Sequence, residues 1–202
     1  MKTQFGNIDI YLFDQLLKER FETGQRILDA GCGEGRNLYY FLKQGYDTYG
    51  IDQNSEAIEG VKAMARDLAP ACPSKNFVAG SIEKMPFAAE SFDWVICNAV
   101  LHFAQDQAHF EKMLDGLWKV VKPGGYLWIR LASSIGLEAD LIPVGQGRFL
   151  LPDASERFLV SMEDLIGYTK SLDAELFEFI KTTNVQNLRC MTTWCLQKKG
   201  LF

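Results

Sequence analysis

The stretch from Arg26 to Asn54, RILDAGCGEGRNLYYFLKQGYDTYGIDQN, constrains the fold more than any other part of the chain. An apolar run enters a loop that contains Gly31, Gly33 and Gly35, a helical segment follows, and a second apolar run ends in Asp52. Strand, glycine-rich loop, helix and strand in this order form a βαβ unit whose loop brings the backbone close to a ligand. We therefore expect a ligand site at the carboxyl end of the first strand.

The remaining sequence continues the alternation of strands and helices. Largely apolar runs predict further strands at 76–82, 92–100 and 126–132. Helical periodicity and polar caps predict helices at 8–21, 37–43, 54–68, 106–121 and 161–169. Two C-terminal runs, AELFEFIKT and RCMTTWCLQK, are joined by TNVQN, which is typical of an antiparallel hairpin. The order predicts an α/β fold with an open, doubly wound, mostly parallel sheet and a ligand crevice beyond the carboxyl ends of its strands.

Charge and hydropathy restrict the partners of the chain. The net charge of −5 and the lack of a Lys/Arg run disfavour a nucleic-acid partner. No stretch approaches the roughly 20 apolar residues of a membrane span, and the N-terminus lacks the pattern of a signal peptide, so we expect a soluble, cytoplasmic protein with no membrane partner. The five scattered cysteines lack C-x-x-C spacing and indicate packing roles in a reduced compartment.

The glycine loop departs from the dinucleotide pattern G-x-G-x-x-G, because Arg36 stands where the third glycine is needed. Asp29 precedes the loop and Glu34 lies within it; carboxylates oppose a pyrophosphate but suit an ammonium or sulfonium group. Asp52, at the end of the second strand, can accept hydrogen bonds from both hydroxyls of a ribose. A nucleoside with a cationic, phosphate-free tail is S-adenosylmethionine, which is the cofactor that we predict.

Five segments together resemble the class I S-adenosylmethionine-dependent methyltransferases in order and spacing: LDAGCGEGRN, Asp52, GSIEKMPF, SFDWVICNAVLHF and VVKPGGYLWI. The resemblance covers 24–132. CGEGRN followed by GYDTYGID is most similar to the small-molecule branch that includes the tellurite-resistance type enzymes. The family resemblance implies a seven-stranded, Rossmann-like sheet whose last strand is antiparallel, in agreement with the predicted hairpin.

The resemblance also implies the residues of the cofactor site. They are Asp29, Gly31, Cys32, Gly33, Gly35, Arg36, Asn37, Asp52, Gln53, Ser81, Ile82, Asn98 and Ala99. Many relatives carry an acidic residue at the position of Ser81. The contact to the adenine amino group is therefore left open between Ser81, a backbone carbonyl and Glu83.

Other residues are candidates for the acceptor side of the site. His102, just beyond Asn98, is the catalytic candidate together with Asn98 itself. Tyr11, Arg130 and Arg148 are the predicted substrate-binding residues, because arginines suit an acidic acceptor and Tyr11 lies on the opening helix. Arg157 is a further candidate of the same kind, whereas Phe13 suits core packing. A continuous helix would place His102, Asp106 and His109 on one face, but a solvated helix start explains them equally well, and we expect no metal.

We interpret residues 1–202 as a single methyltransferase domain, with an N-terminal helical cap at 1–23. Residues 133–160 are long for a connection and contain several turn signals, so they predict an acceptor-binding insertion or lid. The oligomeric state is expected to be monomer or homodimer.

The predicted function is methyl transfer from S-adenosylmethionine to a small-molecule acceptor by direct displacement, for which a general base is not required when the acceptor ionises readily. Three alternatives stay open. A noncatalytic S-adenosylmethionine-binding module would use the same cradle. A nucleic-acid base methyltransferase is disfavoured, because NAVL has neither prolines nor an aromatic ring where such enzymes stack a base. A nicotinamide oxidoreductase is disfavoured by Arg36.

Overall fold

A computed structural model describes residues 2–200 of the chain. Its α-helices are α1 (Lys2–Phe5), α2 (Ile10–Leu17), α3 (Leu38–Lys43), α4 (Ser55–Leu68), α5 (Gln107–Val120) and α6 (Met162–Ser171). Short 3₁₀ turns lie at Ser74–Asn76, Ile82–Lys84 and Leu101–Phe103. In this described part of the chain, every helix is too short or too polar to cross a membrane.

The strands of the first half are β1 (Arg26–Ala30), β2 (Asp47–Asp52), β3 (Phe77–Ala79), β4 (Phe92–Asn98) and β5 (Val121–Ser133). Those of the second half are β6 (Ile142–Gly145), β7 (Arg148–Leu150), β8 (Glu156–Phe158), β9 (Ala174–Leu176), β10 (Lys181–Val185) and β11 (Arg189–Lys198). The main sheet runs in the order β10-β11-β5-β4-β1-β2-β3, with β9 also paired to β11. Strands β3, β2, β1, β4 and β5 are mutually parallel, and β11 is antiparallel to β5, which confirms the predicted sheet and adds the short β9 to its seven-strand path.

The central strands are buried on both faces, as helices cover both sides of the sheet. Alternate side chains enter two different cores, because successive residues of a strand point to opposite faces. Ile27, Trp94 and Trp128 pack with Leu12 of α2 on one face. The neighbouring strand residues, including Leu28, pack with α5 on the other face. This two-sided burial fixes the register of the strands and therefore which residues stand at their carboxyl ends.

The opening helix is shorter than the predicted 8–21. It begins at Ile10 because Asp9 caps it, its Oδ1 accepting a hydrogen bond from the Tyr11 amide at 2.9 Å. It ends at Leu17, and Glu19 beyond it has a left-handed backbone with φ of 54°. The capping aspartate, Asp9, is buried rather than solvated, and Arg36 and Arg130 contact its carboxylate.

Two C-terminal predictions need correction. AELFEFIKT is not one strand, since residues 177–180 interrupt it between β9 and β10; both pieces pair with β11, so the antiparallel hairpin is confirmed with its turn at 186–188. The KPGG segment lies within β5 rather than ahead of it, and the β4–β5 register shifts between Phe92 and Trp94 to accommodate it.

Residues 133–160 contain a small antiparallel sheet in the order β6-β7-β8 rather than an irregular loop. Its base is fastened to the main sheet, because Leu151 and Leu159 pack on Ala132 and Ser133 bridges to Val160. The insertion is thus a folded element that stands beside the carboxyl end of β5.

Two helical glycines provide a matched test of this packing. An alanine Cβ at Gly116 in α5 would lie 2.2 Å from the Ile82 carbonyl oxygen, so we expect Gly116→Ala to lower the free energy of unfolding by about 1–3 kcal/mol. Gly60 in α4 has open space at that position, and Gly60→Ala should raise it by about 0.5–1 kcal/mol. Denaturant unfolding of both variants measures the two values, and effects of the same sign would contradict the packing of α5 on the Ile82 turn.

Candidate active site

A cavity of about 820 Å³, here called the crevice cavity, lies beyond the carboxyl ends of β1, β2 and β4. Its wall comprises Gly31, Asp52, Gln53, Gly80, Ile82, Glu83, Asn98, Ala99, Val100, Phe103, Gln105, Asp106, Ala108, His109, Lys112 and Met113. The volume is within the range of small-molecule and cofactor sites. The position at the strand ends is the one that the βαβ pattern predicts.

The glycine loop contributes Gly31 to the wall of the crevice cavity, and only glycine fits at that position. Gly31 has φ of 79°, and a Cβ there would lie 2.3 Å from Val100. The amides of Gly31 and Cys32 donate to the Ile51 carbonyl at 2.7 and 3.0 Å, which ties the loop to β2. Gly33 also has a positive φ, of 50°, but a Cβ there would meet open space. That open space beside exposed backbone is where a ligand could approach closely.

Asp52 ends β2 and is held by two backbone amides. Its Oδ2 accepts from the Gly33 amide at 2.8 Å, and its Oδ1 accepts from the Asn54 amide at 2.9 Å. Each carboxylate oxygen has a second acceptor site, so both can still receive a hydroxyl hydrogen. The half-buried carboxylate is therefore pre-oriented toward the crevice cavity, which it lines. Gln53, which follows it, is exposed and also lines the cavity.

Asp29 is buried in β1 beneath the glycine loop, with 1% of its surface exposed. Neither carboxylate oxygen has a hydrogen-bond partner among the described residues. Burial raises the pKa of Asp29 to about 7; the positive charge of Arg36 and the polar side chain of Asn37 oppose this rise, and the negative charge of Asp52 adds to it. A buried carboxylate with no partner calls for a cationic hydrogen-bond donor, since desolvation is otherwise uncompensated.

Asn98 and Ala99 form the floor between β4 and the Leu101–Phe103 turn. Asn98 is nine-tenths buried, and both polar atoms of its amide lack partners in residues 2–200. Ala99 has φ of 61°, a left-handed conformation that is uncommon for alanine and is held by its amide donating to the Arg130 carbonyl at 2.7 Å. The unpaired groups of Asp29 and Asn98, with the open space at Gly33, fit the ammonium-bearing tail of S-adenosylmethionine.

Glu83 and His109 pair on the opposite wall. His109 Nδ1 accepts from the Gln105 amide at 3.1 Å, so its Nε2 donates to Glu83 Oε1 at 2.6 Å. Burial raises the pKa of Glu83, but hydrogen bonds from its own amide, His109 and Ser81 outweigh burial and hold it below the usual value. Ser81 does not line the cavity, whereas Glu83 does, and Glu83 Oε2 lacks a partner in the described chain. Of the two side chains left open for the adenine amino group, Glu83 is the better placed.

Three residues of the glycine segment face away from the crevice cavity. The Cys32 side chain is buried in the α3–α4 core, where burial raises the pKa of its thiol. Gly35 serves helix packing, since a Cβ would lie 2.5 Å from Met64 and 3.0 Å from Val61. Glu34 is exposed on the outer side of the loop. The acidic character that sequence reasoning gave to the loop therefore comes from Asp29.

Arg36 and Asn37 bind the N-terminal segment rather than lining the cavity. Asn37 Oδ1 accepts from the Asp9 amide at 3.0 Å, and Arg36 donates to Asp9 Oδ2 at 3.2 Å. Arg130 reaches the same Asp9 oxygen at 3.4 Å and lies 4.8 Å from the centre of the Tyr11 ring. The Tyr11 hydroxyl bonds Thr183, so this side chain supports Arg130 without lining either cavity. Sequence reasoning missed Asp9, since an N-cap residue gave no sign of burial.

A second cavity of about 300 Å³, the arginine cavity, adjoins the first, and Ala99 lines both. Its other lining residues are His102, Arg130, Ala132, Leu151, Asp153, Ser155, Arg157, Val185, Arg189 and Met191. Arg130 and Arg157 were sequence candidates, whereas Arg189 and Asp153 were missed. No local signal marks them, because they meet only where the β10–β11 hairpin approaches the insertion.

His102 lines the arginine cavity in a form that does not suit general-base catalysis. It is buried, and its Nδ1 accepts from the Ala132 amide at 3.1 Å. Burial, with smaller effects of the Arg157 and Arg130 charges, lowers the pKa of His102 to about 4. The imidazole is therefore neutral at pH 7, and its free Nε2 carries the hydrogen. In this geometry His102 is available as a hydrogen-bond donor, and its catalytic role stays a prediction.

Two other sequence candidates, Arg148 and His109, do not line the arginine cavity. Arg148 donates to Glu156 at 2.7 Å and to the Ala104 carbonyl at 2.6 Å, which fastens the small sheet but places this arginine outside both cavities. His109 lines the crevice cavity and His102 the arginine cavity, because α5 begins only at Gln107. The continuous helical face considered for a metal site therefore does not form.

Comparison with known proteins is consistent with this geometry. A family model described as a methyltransferase domain matches residues 28–129, about half of the chain. The phthiotriol/phenolphthiotriol dimycocerosates methyltransferase 1 of Mycobacterium ulcerans is 33% identical over 125 residues, which are 59% of this chain and 43% of that protein. The chain spans about half the length, or less, of the first curated relatives that it matches.

Two solved structures share the fold. A SAM-dependent methyltransferase of Methanosarcina mazei superposes with a TM-score of 0.74 at 22% identity, over 92% of this chain and 98% of that one. The 1,6-didemethyltoxoflavin-N1-methyltransferase of Burkholderia thailandensis, solved with 1,6-didemethyltoxoflavin and S-adenosylhomocysteine, has a TM-score of 0.71 at 17% identity, over 98% and 80%.

The first prediction for the site concerns Asp52. If Asp52 accepts both ribose hydroxyls, as the family resemblance implies, Asp52→Ala should lower S-adenosylhomocysteine affinity by roughly 30-fold to 1000-fold, or about 2–4 kcal/mol, in calorimetric titration. Asp67→Ala, the same change at an exposed position of α4, serves as the control and should leave affinity unchanged. Wild-type affinity in a folded Asp52→Ala protein would falsify the ribose assignment.

The second prediction follows from the raised pKa of Asp29. The pKa of Asp29 is about 7 in the folded protein and 3.8 ordinarily, so the folded state holds the proton more tightly than the unfolded state. This proton stabilises the folded state fully below about pH 3.8, and the stabilisation is lost as pH rises through about 7. Asp29→Asn should therefore gain stability relative to the wild type between about pH 5 and about pH 8 in denaturant unfolding.

Ligand affinity provides a second test of the Asp29 pKa, because we expect affinity to rise with pH where the stability contribution falls. Wild-type affinity for S-adenosylhomocysteine should rise between about pH 5.5 and about pH 7, by at most tenfold per unit, because the ligand ammonium favours the ionised Asp29. Asp29→Asn should bind more weakly with little pH dependence. Equal pH slopes for the two proteins would contradict an ammonium contact at Asp29.

Proposed function

Since the chain belongs to the methyltransferase domain family, whose cofactor is S-adenosylmethionine, we propose that it methylates a small molecule held in the arginine cavity. The observation that carries this proposal is the meeting of the two cavities at Ala99, so that a cofactor in one and an acceptor in the other come together there. The named activities of the Mycobacterium relative and the Burkholderia fold neighbour support methyl transfer to a small molecule.

In this proposal each wall of the crevice cavity binds one part of the cofactor. Asp52 accepts the ribose hydroxyls, and Asp29 and Asn98 receive the ammonium-bearing tail. Glu83 Oε2 accepts from the adenine amino group beside the buried Ile82. When bound, S-adenosylmethionine would supply a methyl group on a positively charged sulfur; an acceptor lone pair would bond to the methyl carbon as the carbon–sulfur bond breaks, leaving neutral S-adenosylhomocysteine.

The protein contributes alignment rather than proton transfer. A nucleophile held in line with the methyl group gains most of its acceleration from position alone. Ala99 lines both cavities, and its left-handed backbone is fixed by the hydrogen bond that its amide donates to β5. His102, with its proton on Nε2, donates to the acceptor instead of removing a proton.

A methyl-transfer assay distinguishes the proposed enzyme from a noncatalytic module, which would bind the cofactor in the same cavity but transfer no methyl group. The purified chain is incubated with methyl-labelled S-adenosylmethionine and a panel of metabolites and oligonucleotides, and transfer of label to each is scored. We expect label on at least one small molecule and none with Asp52→Ala. Tight S-adenosylhomocysteine binding without transfer to any member would favour the binding module, and label on oligonucleotides alone would favour a base methyltransferase.

The state of His102 predicts how its loss divides between kinetic constants. With the best acceptor of that panel, His102→Gln should raise KM while kcat changes by less than about tenfold, because a true general base contributes roughly 100-fold to 10,000-fold. Glutamine retains an oxygen that can accept from the Ala132 amide. A kcat loss within the general-base range, with S-adenosylmethionine affinity intact, would make His102 catalytic.

A further inference from the structure

The arginine cavity contains more positive charge than its own carboxylates neutralise. Arg130, Arg157 and Arg189 line it, and Asp153 is its one acidic lining residue. Asp153 is already engaged, since it accepts from Ser155 Oγ at 2.5 Å and from Arg189 at 3.3 Å. Arg130 and Arg157 are therefore left with most of their donors available.

Neither of these two arginines has a strong carboxylate partner among the described residues. Arg157 donates to the Glu156 carbonyl at 2.8 Å and stacks on Phe103 at 4.9 Å, with no ion pair. Arg130 shares Asp9 with Arg36 across a long contact of 3.4 Å, and its buried Nε has no partner. A guanidinium carries five N–H donors in a planar fork that matches an oxyanion.

The excess positive charge of the arginine cavity also acts on the imidazole of His102. After burial, the charges of Arg157 and then Arg130 are what lower its pKa, so both guanidinium groups act on the space that the imidazole lines. Its Nε2 hydrogen adds a neutral donor to that space. Donors thus converge from β5, from β8 and from the Leu101–Phe103 turn.

We propose that the arginine cavity binds an oxyanion of the methyl acceptor, a carboxylate or a phosphate, through Arg130 and Arg157. This inference rests on the proposed function, because it names the substrate class of the same site. A cavity of about 300 Å³ is at the lower end of the range of small-molecule sites, which suits a small acid or the acidic group of a larger molecule. The oxyanion is an anchor: arginine pairing stabilises its lone pairs, and another atom of the acceptor, nearer Ala99, takes the methyl group.

Calorimetric titration with paired probes tests this assignment. The protein, free and saturated with S-adenosylhomocysteine, is titrated with small carboxylates from acetate to benzoate, with their neutral amides and with phenyl phosphate. We expect at least one oxyanion to bind at least tenfold more tightly than its amide. Tighter binding of the carboxylates or of phenyl phosphate identifies which oxyanion the cavity takes. Equal affinity for acids and amides, or no oxyanion binding, would overturn the proposal.

Variants locate the binding. Arg157→Gln should weaken the oxyanion by roughly tenfold or more while S-adenosylhomocysteine affinity stays unchanged. Arg130→Lys provides a second test that keeps a charge beside Asp9, and it should also weaken binding because the fork is lost. Arg66→Gln, at an exposed position of α4, removes the same charge far from the cavity and is the matched control. Equal losses in Arg66→Gln and Arg157→Gln would overturn the proposal as nonspecific attraction.

Different results would contradict the proposed function and the anionic acceptor. Oxyanion binding that depends on Arg157 but is accompanied by no S-adenosylhomocysteine binding contradicts the proposed function and leaves an anion site. S-adenosylhomocysteine binding with normal methyl transfer to neutral acceptors, and no oxyanion effect of Arg157→Gln, contradicts the anionic acceptor alone.

Discussion

The hydrogen bond from the Gly33 amide to the Asp52 carboxylate joins the two parts of the crevice on which everything else depends. A glycine loop exposes amide donors, and these need acceptors when the loop approaches a buried strand end. Asp52 supplies one acceptor and the Ile51 carbonyl another, so the loop is anchored to β2 before any ligand arrives. The same carboxylate keeps lone pairs on both oxygens, so in the proposed site one residue both holds the loop and binds the ligand.

Charge is separated between the two cavities. Asp29, Asp52 and Glu83 place carboxylates at or beneath the wall of the crevice cavity, whereas three arginines and one aspartate line the arginine cavity, which gives that lining an excess of positive charge. The first arrangement favours a cationic ligand and the second an anionic one. Because the cavities meet at Ala99, opposite preferences lie on the two sides of a single methyl-bearing residue.

Local sequence patterns predicted the parallel sheet, the glycine loop and the cap of α4, because each depends on residues close together in the chain. Asn54, for example, accepts from the amides two and three residues ahead, as the N-cap pattern requires. The long-range parts were not predictable. Gly35 looks like a ligand glycine in the sequence, yet its absent side chain makes room for Met64 of the next helix.

The arginines show the same limit on the acceptor side. Arg130, Arg148 and Arg157 have equivalent signals in the sequence, but pairing partners decide which of them can meet a ligand. Arg148 is neutralised by Glu156 across the β7–β8 pair, a contact that exists only because 133–160 folds as a sheet. Arg189, at the start of β11, also lines the arginine cavity, although it is distant in sequence from Arg130 and Arg157.

Burial without a hydrogen-bond partner distinguishes Asp29 from Asp9, which are the two buried aspartates of the described residues. Asp9 is as buried as many core residues, but two arginines and its own helix cap engage its carboxylate, so it serves to hold the N-terminal segment in place. Asp29 is buried with neither oxygen hydrogen-bonded among the described residues, and burial is the largest cause of its raised pKa, because desolvation disfavours the charged form. A cationic ligand offsets that cost only when it binds, so the same carboxylate that destabilises the empty site strengthens the filled one.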